Sequence, residues 1–590
     1  MAGKRGKVKG LLRAIIPLTA ILAVALAAYG NTFHVPFVLD DVQSIVANPL
    51  VRSFAFTPKP RILADLSFNI NYRLHGLYLP GFHLGNLLLH SLNGLLLYLL
   101  LRLTLGTPLL SRQGELVDPV IRRIPLAAAL LFVSHPLQTQ AVTYLTQRHA
   151  LLACFFCLIS LLAYAAGRLR STPAARCSLY LVAMLAAGAA ILSKENAIIL
   201  PPLLLLYGVI FFPSTTRREL PHLAFFALPV ACGVMFIFWG GSPAGLARAL
   251  AEHTAEAGAP PRLEYLLTQF GVVATYLRLL ILPYGQSLDH DVALRSSLGD
   301  PAVFLPLLLL AGIAILGIRL WRFSRKGGEC AGQAALAAFA IGWFSLALSV
   351  ESGLVPLRDA MAEHRLYLPM AGVAILPPLA ICQLLSRGQC RARGRGFTLL
   401  VALIVMLLGV ATWQRNRAWQ SEVSIWQDAA MKNPMKGRTH GALAHALQRA
   451  GRKGEAEAEC RQALRLSPLD HVARNNLGVL YLGDKRHAEA LGEFLAGLET
   501  APDSATLHGN AGLAYAGLGR YDMAEGEYRR ALLLLGGDAP LYNNLGIALA
   551  RQGRGGEAAE AFRSSLSIDP ANKQARENLA RLASGAVRGR

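Results

Sequence analysis

A 34-residue period runs through the last third of the chain and constrains its fold more than any other feature. The residues that mark this period are Pro434, Pro468, Pro502, Gly536 and Pro570, with Gly478, Gly512 and Gly546 repeating at the same interval. A period of this length is typical of one supersecondary unit repeated along a solenoid, in which each unit buries its apolar face against its neighbours. This part of the chain is therefore predicted to be an α-solenoid of paired helices.

The residues within one period match the tetratricopeptide pattern. One complete copy is filled by Leu477, Gly478, Tyr481, Ala490, Phe494 and Pro502. The small residues let paired helices approach closely, and the aromatic residues fill the gap between neighbouring repeats. Four copies are expected over residues 437–570, after a connecting helix at 413–436 and before a capping helix and tail at 571–590.

Three asparagines occupy the same slot in successive repeats. Asn476, Asn510 and Asn544 lie 34 residues apart. A stacked row of amides offers donors and acceptors to an extended peptide backbone, so these residues are predicted to bind a protein or peptide. The alternative is that asparagine is simply tolerated at an exposed helical position.

The first 412 residues have the composition of a membrane protein. The whole chain is 54% hydrophobic and only 16% charged, whereas charged residues make up about a quarter of a soluble domain. Much of the net charge of +22 lies in short breaks between apolar runs, where Lys and Arg orient membrane helices. No compact basic and aromatic module accompanies this charge, so a nucleic-acid partner is not expected. Residues 1–412 are predicted to form a polytopic membrane domain.

Apolar segments separated by basic breaks predict the topology. The segments fall near 11–29, 82–105, 124–134, 141–166, 179–193, 197–213, 222–239, 264–282, 302–321, 334–350, 366–384 and 397–412. The breaks rich in Arg and Lys are assigned to the cytoplasm, at 4–9, 112–123, 168–176, 217–218, 322–326 and 387–395. The chain is assigned to the cytoplasm at both 218 and 322, so an even number of the three apolar segments between these positions must cross the membrane. The segment 264–282 is predicted not to cross, because Arg278 interrupts it. About eleven spans result, and the first outer loop, at 31–81, and the repeats face the extracytoplasmic side.

The cellular compartment follows from smaller signals. The eight cysteines form no disulfide framework. The basic N-terminal residues followed by the apolar run from Leu11 to Ala28 fit either a signal peptide or a first membrane span that is not cleaved. We favour the uncleaved span. The sequence contains no N-x-[ST] sequon. These features predict a bacterial inner membrane with the repeats in the periplasm, or the endoplasmic reticulum membrane in a eukaryotic cell.

Five stretches, taken in order, resemble one family of membrane proteins. They are FVLDDVQSIVANP, FHLGNLLLHSLNGLLLYLL, HPLQTQAVTYLTQRHALLA, LSKENAIILPPLLLLYG and AEHRLYLPMAGVAIL. With the repeats, they make the chain similar to the transmembrane and tetratricopeptide repeat-containing protein O-mannosyltransferases and their bacterial relatives. The resemblance implies an all-α, GT-C-like membrane bundle followed by the solenoid. It also implies transfer of a sugar, mannose in this family, from a polyprenyl-phosphate carrier to hydroxyl groups of protein acceptors on the extracytoplasmic side.

An acidic pair in the first outer loop is the candidate for acid–base chemistry. Transfer from a lipid phosphate requires a carboxylate that takes the acceptor's proton, an effect worth ~10² to 10⁴-fold. Asp40 and Asp41 follow the first span closely, and the resemblance implies that an acidic residue of this loop is the base. Asp40 is expected to act as the base, with Asp41 assisting; metal binding or solvation of the loop are the alternatives.

Stabilisation of the departing phosphate requires fixed positive charge. Arg148, Lys194 and Arg365 each lie at the outer end of a predicted span and are the candidate donor-phosphate ligands. Supporting roles are predicted for Glu195, Glu363, His83, His135 and His364. The two glutamates lie beside Lys194 and Arg365, so salt bridges to these cations are expected, whereas histidines near helix ends are more often structural. No spacing suggests a zinc site and no Gly-rich motif suggests a nucleotide, so a nucleotide-sugar donor is not expected and a need for metal is left open.

Three other functions fit some of these features. A non-catalytic scaffold for envelope protein assembly would use the repeats, but an anchor needs only one span. A transporter would place ionisable residues near mid-membrane and show repeated halves. A lipid-oligosaccharide ligase tends to carry its large loop late in the membrane region, whereas the long loop here comes first.

Overall fold

All regular structure in the described part of the chain is helical. The computed structural model describes residues 2–53, 55, 59–111, 118–212, 216–238, 259–328, 330–385 and 390–584. The chain divides into two compact units, Met1–Ser424 and Ile425–Arg590. The predicted all-α fold, a membrane-type helical unit and a repeat solenoid, is confirmed.

The first unit contains the long apolar helices. Its α-helices within the described residues are α1 (Ala2–Tyr29), α2 (Pro49–Arg52), α3 (Ile62–His75), α4 (Leu79–Thr104), α5 (Pro108–Ser111), α6 (Ile124–Ser134), α7 (Thr139–Val142), α8 (Arg148–Arg168), α9 (Pro173–Ser193), α10 (Leu200–Phe211), α11 (Thr216–Phe238), α12 (Arg262–Ile281), α13 (Pro301–Lys326), α14 (Ala331–Leu348), α15 (Tyr367–Val373), α16 (Leu376–Leu384) and α17 (Cys390–Asn416). The next helix, α18 (Glu422–Lys432), includes the division between the units.

The second unit consists of helix pairs. Its α-helices are α19 (Gly437–Arg449), α20 (Lys453–Leu466), α21 (His471–Gly483), α22 (His487–Thr500), α23 (Ala505–Gly517), α24 (Tyr521–Leu535), α25 (Ala539–Arg551), α26 (Gly555–Ile568) and α27 (Lys573–Ala583). Close approach explains the periodic glycines: a Cβ at Gly478 would lie 2.4 Å from the ring of Phe494, and one at Gly512 would lie 2.6 Å from the ring of Tyr528. Atoms pack favourably only near 3.5–4.0 Å, so a larger residue would force the paired helices apart.

Six helices within the described residues are long and apolar enough to cross a membrane. They are Leu79–Thr104, Leu145–Arg168, Pro173–Ser193, Pro301–Lys326, Ala331–Leu348 and Ala392–Trp419. A bent pair, Glu363–Val373 with Leu376–Leu384, makes a seventh if it counts as one span. Shorter apolar helices lie at Ile15–Tyr29, Glu195–Phe211 and Phe225–Phe236, and α12, the segment predicted not to cross, belongs to neither set. The count of eleven spans stays a prediction.

Some residues used in the topology argument lie outside the described residues. These are Arg112 and Arg387 among the basic breaks, and residues 585–590 of the predicted tail.

Short turns interrupt the helices at the polar motifs of the first unit. They are the 3-10 turns Pro136–Gln138, Leu145–Gln147, Glu195–Ile199 and Glu363–Leu366. Proline accounts for the first break, because His135 has the extended backbone (φ −77°, ψ 130°) favoured before proline and its Nδ1 accepts from the Leu137 amide. Three of the turns, Pro136–Gln138, Leu145–Gln147 and Glu363–Leu366, contact one another directly or through α7, whereas Glu195–Ile199 contacts the π-helical turn Val350–Leu354. The candidate site residues of the first unit gather around these turns.

We expect the repeats to lie on the side of the membrane opposite the cytoplasm, because the basic breaks alternate as described. A reporter that is active only in the cytoplasm should stay silent when fused after Arg590. The same reporter fused after Lys326, within a break assigned to the cytoplasm, should be active. A bright signal after Arg590 would overturn the eleven-span topology.

Candidate active site

Asp40 is an exposed carboxylate at the start of the first outer loop. Its backbone amide donates to the hydroxyl of Tyr144 at 3.0 Å, and the ring of Tyr144 stacks on Trp419 with 5.7 Å between ring centroids. The preceding residue, Leu39, has a φ of +54°, a left-handed conformation that costs a non-glycine residue about 1–3 kcal/mol. The loop is therefore held in a strained conformation that leaves the Asp40 side chain facing solvent.

Asp41 is buried beside Asp40 and has a different environment. Its Oδ1 accepts from the Thr146 amide at 2.7 Å and from the Thr146 hydroxyl at 2.5 Å, and its Oδ2 accepts from the Val38 amide at 3.2 Å. Burial raises the pKa of Asp41 to about 7, and the charge of Asp40 adds to this effect, while the bonds from Thr146 and Val38 oppose it. Asp41 thus ties the loop to the turn that precedes α8, while Asp40 remains available to a substrate.

Arg148 is buried and engaged on several sides. Its Nε donates to Asn86 Oδ1 at 2.6 Å, and its terminal nitrogens donate to Asn71 Oδ1 and to the carbonyl oxygens of Phe82 and Ser67. Its guanidinium also lies 4.5 Å from the ring centroid of Phe68. These contacts join α3, α4 and α8, so Arg148 is placed as a positioning residue.

Lys194 forms a buried ion pair with a glutamate whose ionisation Arg365 also favours. The Lys194 Nζ lies 2.6 Å from Glu351 Oε1, and both side chains are largely buried. Burial opposes ionisation of Glu351, yet the positive charges of Lys194 and Arg365 hold its pKa below the usual value. Arg365 also donates to the carbonyl oxygens of Asp359 and Ala360 and to the Tyr265 hydroxyl. Lys194 is therefore paired with a buried anion, and the charge of Arg365 also favours the ionised form of that anion.

The salt bridges expected of Glu195 and Glu363 are not formed. Glu195 pairs with Arg61, 3.3 Å away, and Glu363 accepts from His290 Nε2 at 2.9 Å and from the Ser287 amide at 2.7 Å. The reason is geometric, because residues one or two apart in a helical turn point in different directions. Glu363 anchors the segment that follows α12 instead.

The three predicted histidines have different surroundings. His83 Nε2 is bonded to the Val35 carbonyl at 2.8 Å, and His135 Nε2 to the Leu280 carbonyl at 3.1 Å. The amide of His364 donates to Gln140 Oε1 at 2.7 Å, while its Nδ1 is buried and has no hydrogen-bond partner among the described residues. His83 and His135 therefore hold backbone segments, as expected of histidines near helix ends.

Buried polar atoms without protein partners lie in the same turns. Within the described residues these include both amide atoms of Gln138, Oε1 of Gln147, Oδ1 of Asn196 and Oε2 of Glu351. Such atoms are rare in folded proteins because each costs free energy. Their presence beside Lys194 and His364 is typical of a site that binds a polar ligand.

The asparagine column lies in the second unit, and two of its three amides contact a neighbouring repeat. Asn476 Nδ2 donates to the Gly441 carbonyl at 3.4 Å, and Asn510 Nδ2 donates to Asn475 Oδ1 at 2.8 Å. Asn476 is buried, while Asn510 and Asn544 are half-buried. The amides of Asn476 and Asn510 therefore link one repeat to the next, a role the sequence does not indicate. Acceptor binding by the column stays a prediction.

Replacing Asn476, Asn510 and Asn544 together with Ala separates these two roles. If the column binds acceptor, the apparent affinity for a protein acceptor should fall severalfold while turnover at saturating acceptor is kept. If the amides only join repeats, the thermal midpoint should fall and the acceptor affinity should not change. Asn433→Ala, outside the column, is the matched control, and an unchanged acceptor affinity would contradict the binding role.

Three residues that position this site were not predicted from the sequence. Tyr144 and Thr146 lie inside the quoted motif HPLQTQAVTYLTQRHALLA, but their contacts to Asp40 and Asp41 join residues about a hundred positions apart. Glu351 follows an apolar helix with no motif around it, and only its pairing with Lys194 reveals it. Among the described residues, no group of three or more His, Cys, Asp or Glu side chains is placed to hold a metal ion.

Comparison with known proteins shows two kinds of similarity. A family model described as a tetratricopeptide repeat matches residues 442–505 and 509–582. The protein O-mannosyl-transferase F38B6.6 of Caenorhabditis elegans is 25% identical over 78% of this chain and 64% of its own length. Protein O-mannosyl-transferase Tmtc3 of Drosophila melanogaster is 25% identical over 82% of this chain and 59% of its own. The chain is therefore similar to protein O-mannosyl-transferases over most of its length. It spans less than two thirds of the length of these relatives.

Solved structures of tetratricopeptide proteins match about 28–30% of the chain. The tetratricopeptide protein YrrB, described as having an unusual peptide-binding site, is 22% identical, covers 28% of this chain and 86% of its own, and has a TM-score of 0.26. TTC0263 of Thermus thermophilus is 21% identical over 30% of this chain and 95% of its own, with a TM-score of 0.25.

Proposed function

We propose that this protein is a membrane glycosyltransferase that moves a sugar from a polyprenyl-phosphate carrier to hydroxyl groups of protein acceptors. The observation that carries the proposal is the exposed Asp40 carboxylate, held by a strained loop in the unit that also contains the Lys194–Glu351–Arg365 cluster. The O-mannosyl-transferase names of its relatives support the same reaction.

The proposed reaction needs one base and one cationic site. The acceptor hydroxyl oxygen forms a bond to C1 of the sugar while the bond from C1 to the phosphate oxygen breaks. Asp40 takes the hydroxyl proton, and the carrier leaves as polyprenyl phosphate. Lys194 and Arg365 stabilise the negative charge on the departing phosphate, because buried cations act strongly where water is excluded.

The remaining candidates act through these residues. Asp41 fixes the loop that carries Asp40, through its bonds to Thr146 and Val38. Arg148 positions α8 and therefore the turn that contains Thr146. His364, Glu195 and Glu363 shape the surrounding turns, and Asn476, Asn510 and Asn544 are proposed to receive the protein acceptor.

Mannose is the proposed sugar, Ser and Thr are the proposed acceptors, and the extracytoplasmic face of a bacterial inner membrane is the proposed location. These assignments rest on the names of the relatives and on the charge of the loops. The bundle is proposed to have the GT-C architecture.

The test is transfer by the purified full chain. Radiolabelled polyprenyl-phosphate mannose is supplied with Ser/Thr-rich acceptor peptides, and labelled peptide is measured. Other polyprenyl-phosphate hexoses and a nucleotide-linked mannose serve as parallel donors. Transfer from a polyprenyl phosphate alone supports the proposal. Transfer from the nucleotide donor refutes the choice of donor. If the folded protein transfers from no donor yet captures the peptides, a scaffold is the better explanation.

A further inference from the structure

An apolar groove runs along one side of the first unit, away from the turns described above. It is formed by α1, by α6 with the turn before it, and by one face of α17, and it has a volume of about 810 Å³. This volume is within the range of small-molecule binding sites, about 300–1,000 Å³. Small residues form part of its wall, among them Ala28, Ala127, Ala402 and Gly409.

The end of the groove nearest the first outer loop carries an unpaired cation. Arg417 lines this end, is exposed, and makes no side-chain hydrogen bond or ion pair within the described residues. Trp413 lies one turn away and is 38% exposed, and Trp is enriched at the interface between lipid headgroups and hydrocarbon. Arg123 lines the other end, where it donates to the Gly394 carbonyl and the Thr398 hydroxyl.

The length of this half of the groove matches one acyl chain. The face of α17 from Val405 to its end is roughly 17 Å long at 1.5 Å per residue. The hydrocarbon of one leaflet is about 15 Å thick, half of the ~30 Å membrane core. An acyl chain from the leaflet at Arg417 therefore fills this stretch, with its phosphate at the guanidinium.

We propose that this groove binds an anionic phospholipid, with an acyl chain between α1, α6 and α17 and the headgroup phosphate on Arg417. The positive charge selects an anionic headgroup over a zwitterionic one, by about 1 kcal/mol per Arg, which is roughly a fivefold preference. The lipid joins three helices that are distant in sequence, so it also stabilises the first unit.

Two substitutions test the two parts of the site. Gly409→Leu places a side chain where a Cβ meets nothing within 4 Å, so it fills the groove without a clash. Leu403→Phe, on the exposed side of the same helix outside the groove, is its control. Arg417→Gln removes the headgroup contact, and Arg395→Gln, at the other end of α17 and outside the groove, is the matched control for charge.

The measurement is native mass spectrometry of the detergent-solubilised full chain with equal amounts of phosphatidylglycerol and phosphatidylethanolamine. We expect roughly fivefold more phosphatidylglycerol on the wild type, a ratio near one for Arg417→Gln, and a severalfold loss of both lipids for Gly409→Leu. Ala402→Leu replaces Gly409→Leu if that variant does not fold. Equal binding by Gly409→Leu and Leu403→Phe overturns the proposal, as does an Arg417→Gln ratio equal to that of the wild type. Displacement of phosphatidylglycerol by an equal amount of undecaprenyl phosphate also overturns it, because the groove would then belong to the carrier.

Discussion

Asp40→Asn is expected to lower the turnover of sugar transfer by a factor on the order of 10² or more. The amide keeps the size and shape of the side chain but cannot accept the proton of the acceptor hydroxyl as a carboxylate does. Because the Asp40 side chain is exposed, the variant should fold normally. Donor binding, measured as retention of labelled polyprenyl-phosphate sugar, should stay nearly unchanged.

Asp40→Glu and Asp41→Asn are the matching variants for this test. Asp40→Glu keeps a carboxylate and should retain part of the activity. Asp41→Asn presents an NH₂ group to the donors of Thr146 or Val38, so it should lower the thermal midpoint and the acceptor affinity more than turnover. If both Asp40→Asn and Asp41→Asn transfer sugar at the wild-type rate, this loop does not hold the base and the scaffold becomes the leading function.

Lys194→Met is expected to destabilise the first unit by about 3–5 kcal/mol, because it leaves Glu351 buried without its cation. Adding Glu351→Gln removes the uncompensated charge and should restore most of the thermal midpoint. Transfer activity should not return in the double variant if Lys194 stabilises the departing phosphate. Thermal unfolding and the transfer assay, applied to the single and double variants, therefore separate a structural role of Lys194 from a catalytic one.

Glu351→Gln alone is the control for this pair. It keeps Lys194 charged and should lower activity less than either variant that lacks the lysine. Wild-type activity in the double variant would show that Lys194 holds no phosphate, and an unchanged midpoint in Lys194→Met would show that the ion pair contributes nothing to stability.

The repeat unit was predictable because its contacts recur at a fixed spacing of 34 residues along the sequence. Gly478 and Phe494 mark a helix contact within one repeat, and the same pair of positions returns 34 residues later at Gly512 and Tyr528. Local patterns of this kind require no knowledge of distant parts of the chain. The use of Asn510 to reach Asn475 was not predictable, because a column of amides fits a ligand and a neighbouring repeat equally well.

The candidate site residues could be proposed from the sequence, but their pairings could not, and their roles stay predictions. The acidic pair and the cations follow from motifs at the ends of apolar runs. Burial of Asp41, exposure of Asp40 and the pairing of Lys194 with Glu351 depend on contacts between segments about a hundred or more residues apart. Lys194 and Glu195 are adjacent in sequence, which suggests an ion pair between them. Their side chains point in different directions, and each pairs with another residue.

The end of α17 is hydrogen-bonded to the end of α1. Asn416 donates to the Ala28 carbonyl and to Asn31 Oδ1, and its own Oδ1 accepts from Thr143. These bonds hold the end of α1 from which the Asp40 loop departs, next to the segment that carries Tyr144. A ribosome makes Asp40 early, but the residue that secures this arrangement emerges nearly four hundred residues later. On the proposed function, a chain interrupted before Asn416 carries Asp40 without these bonds, so we expect it to lack sugar-transfer activity.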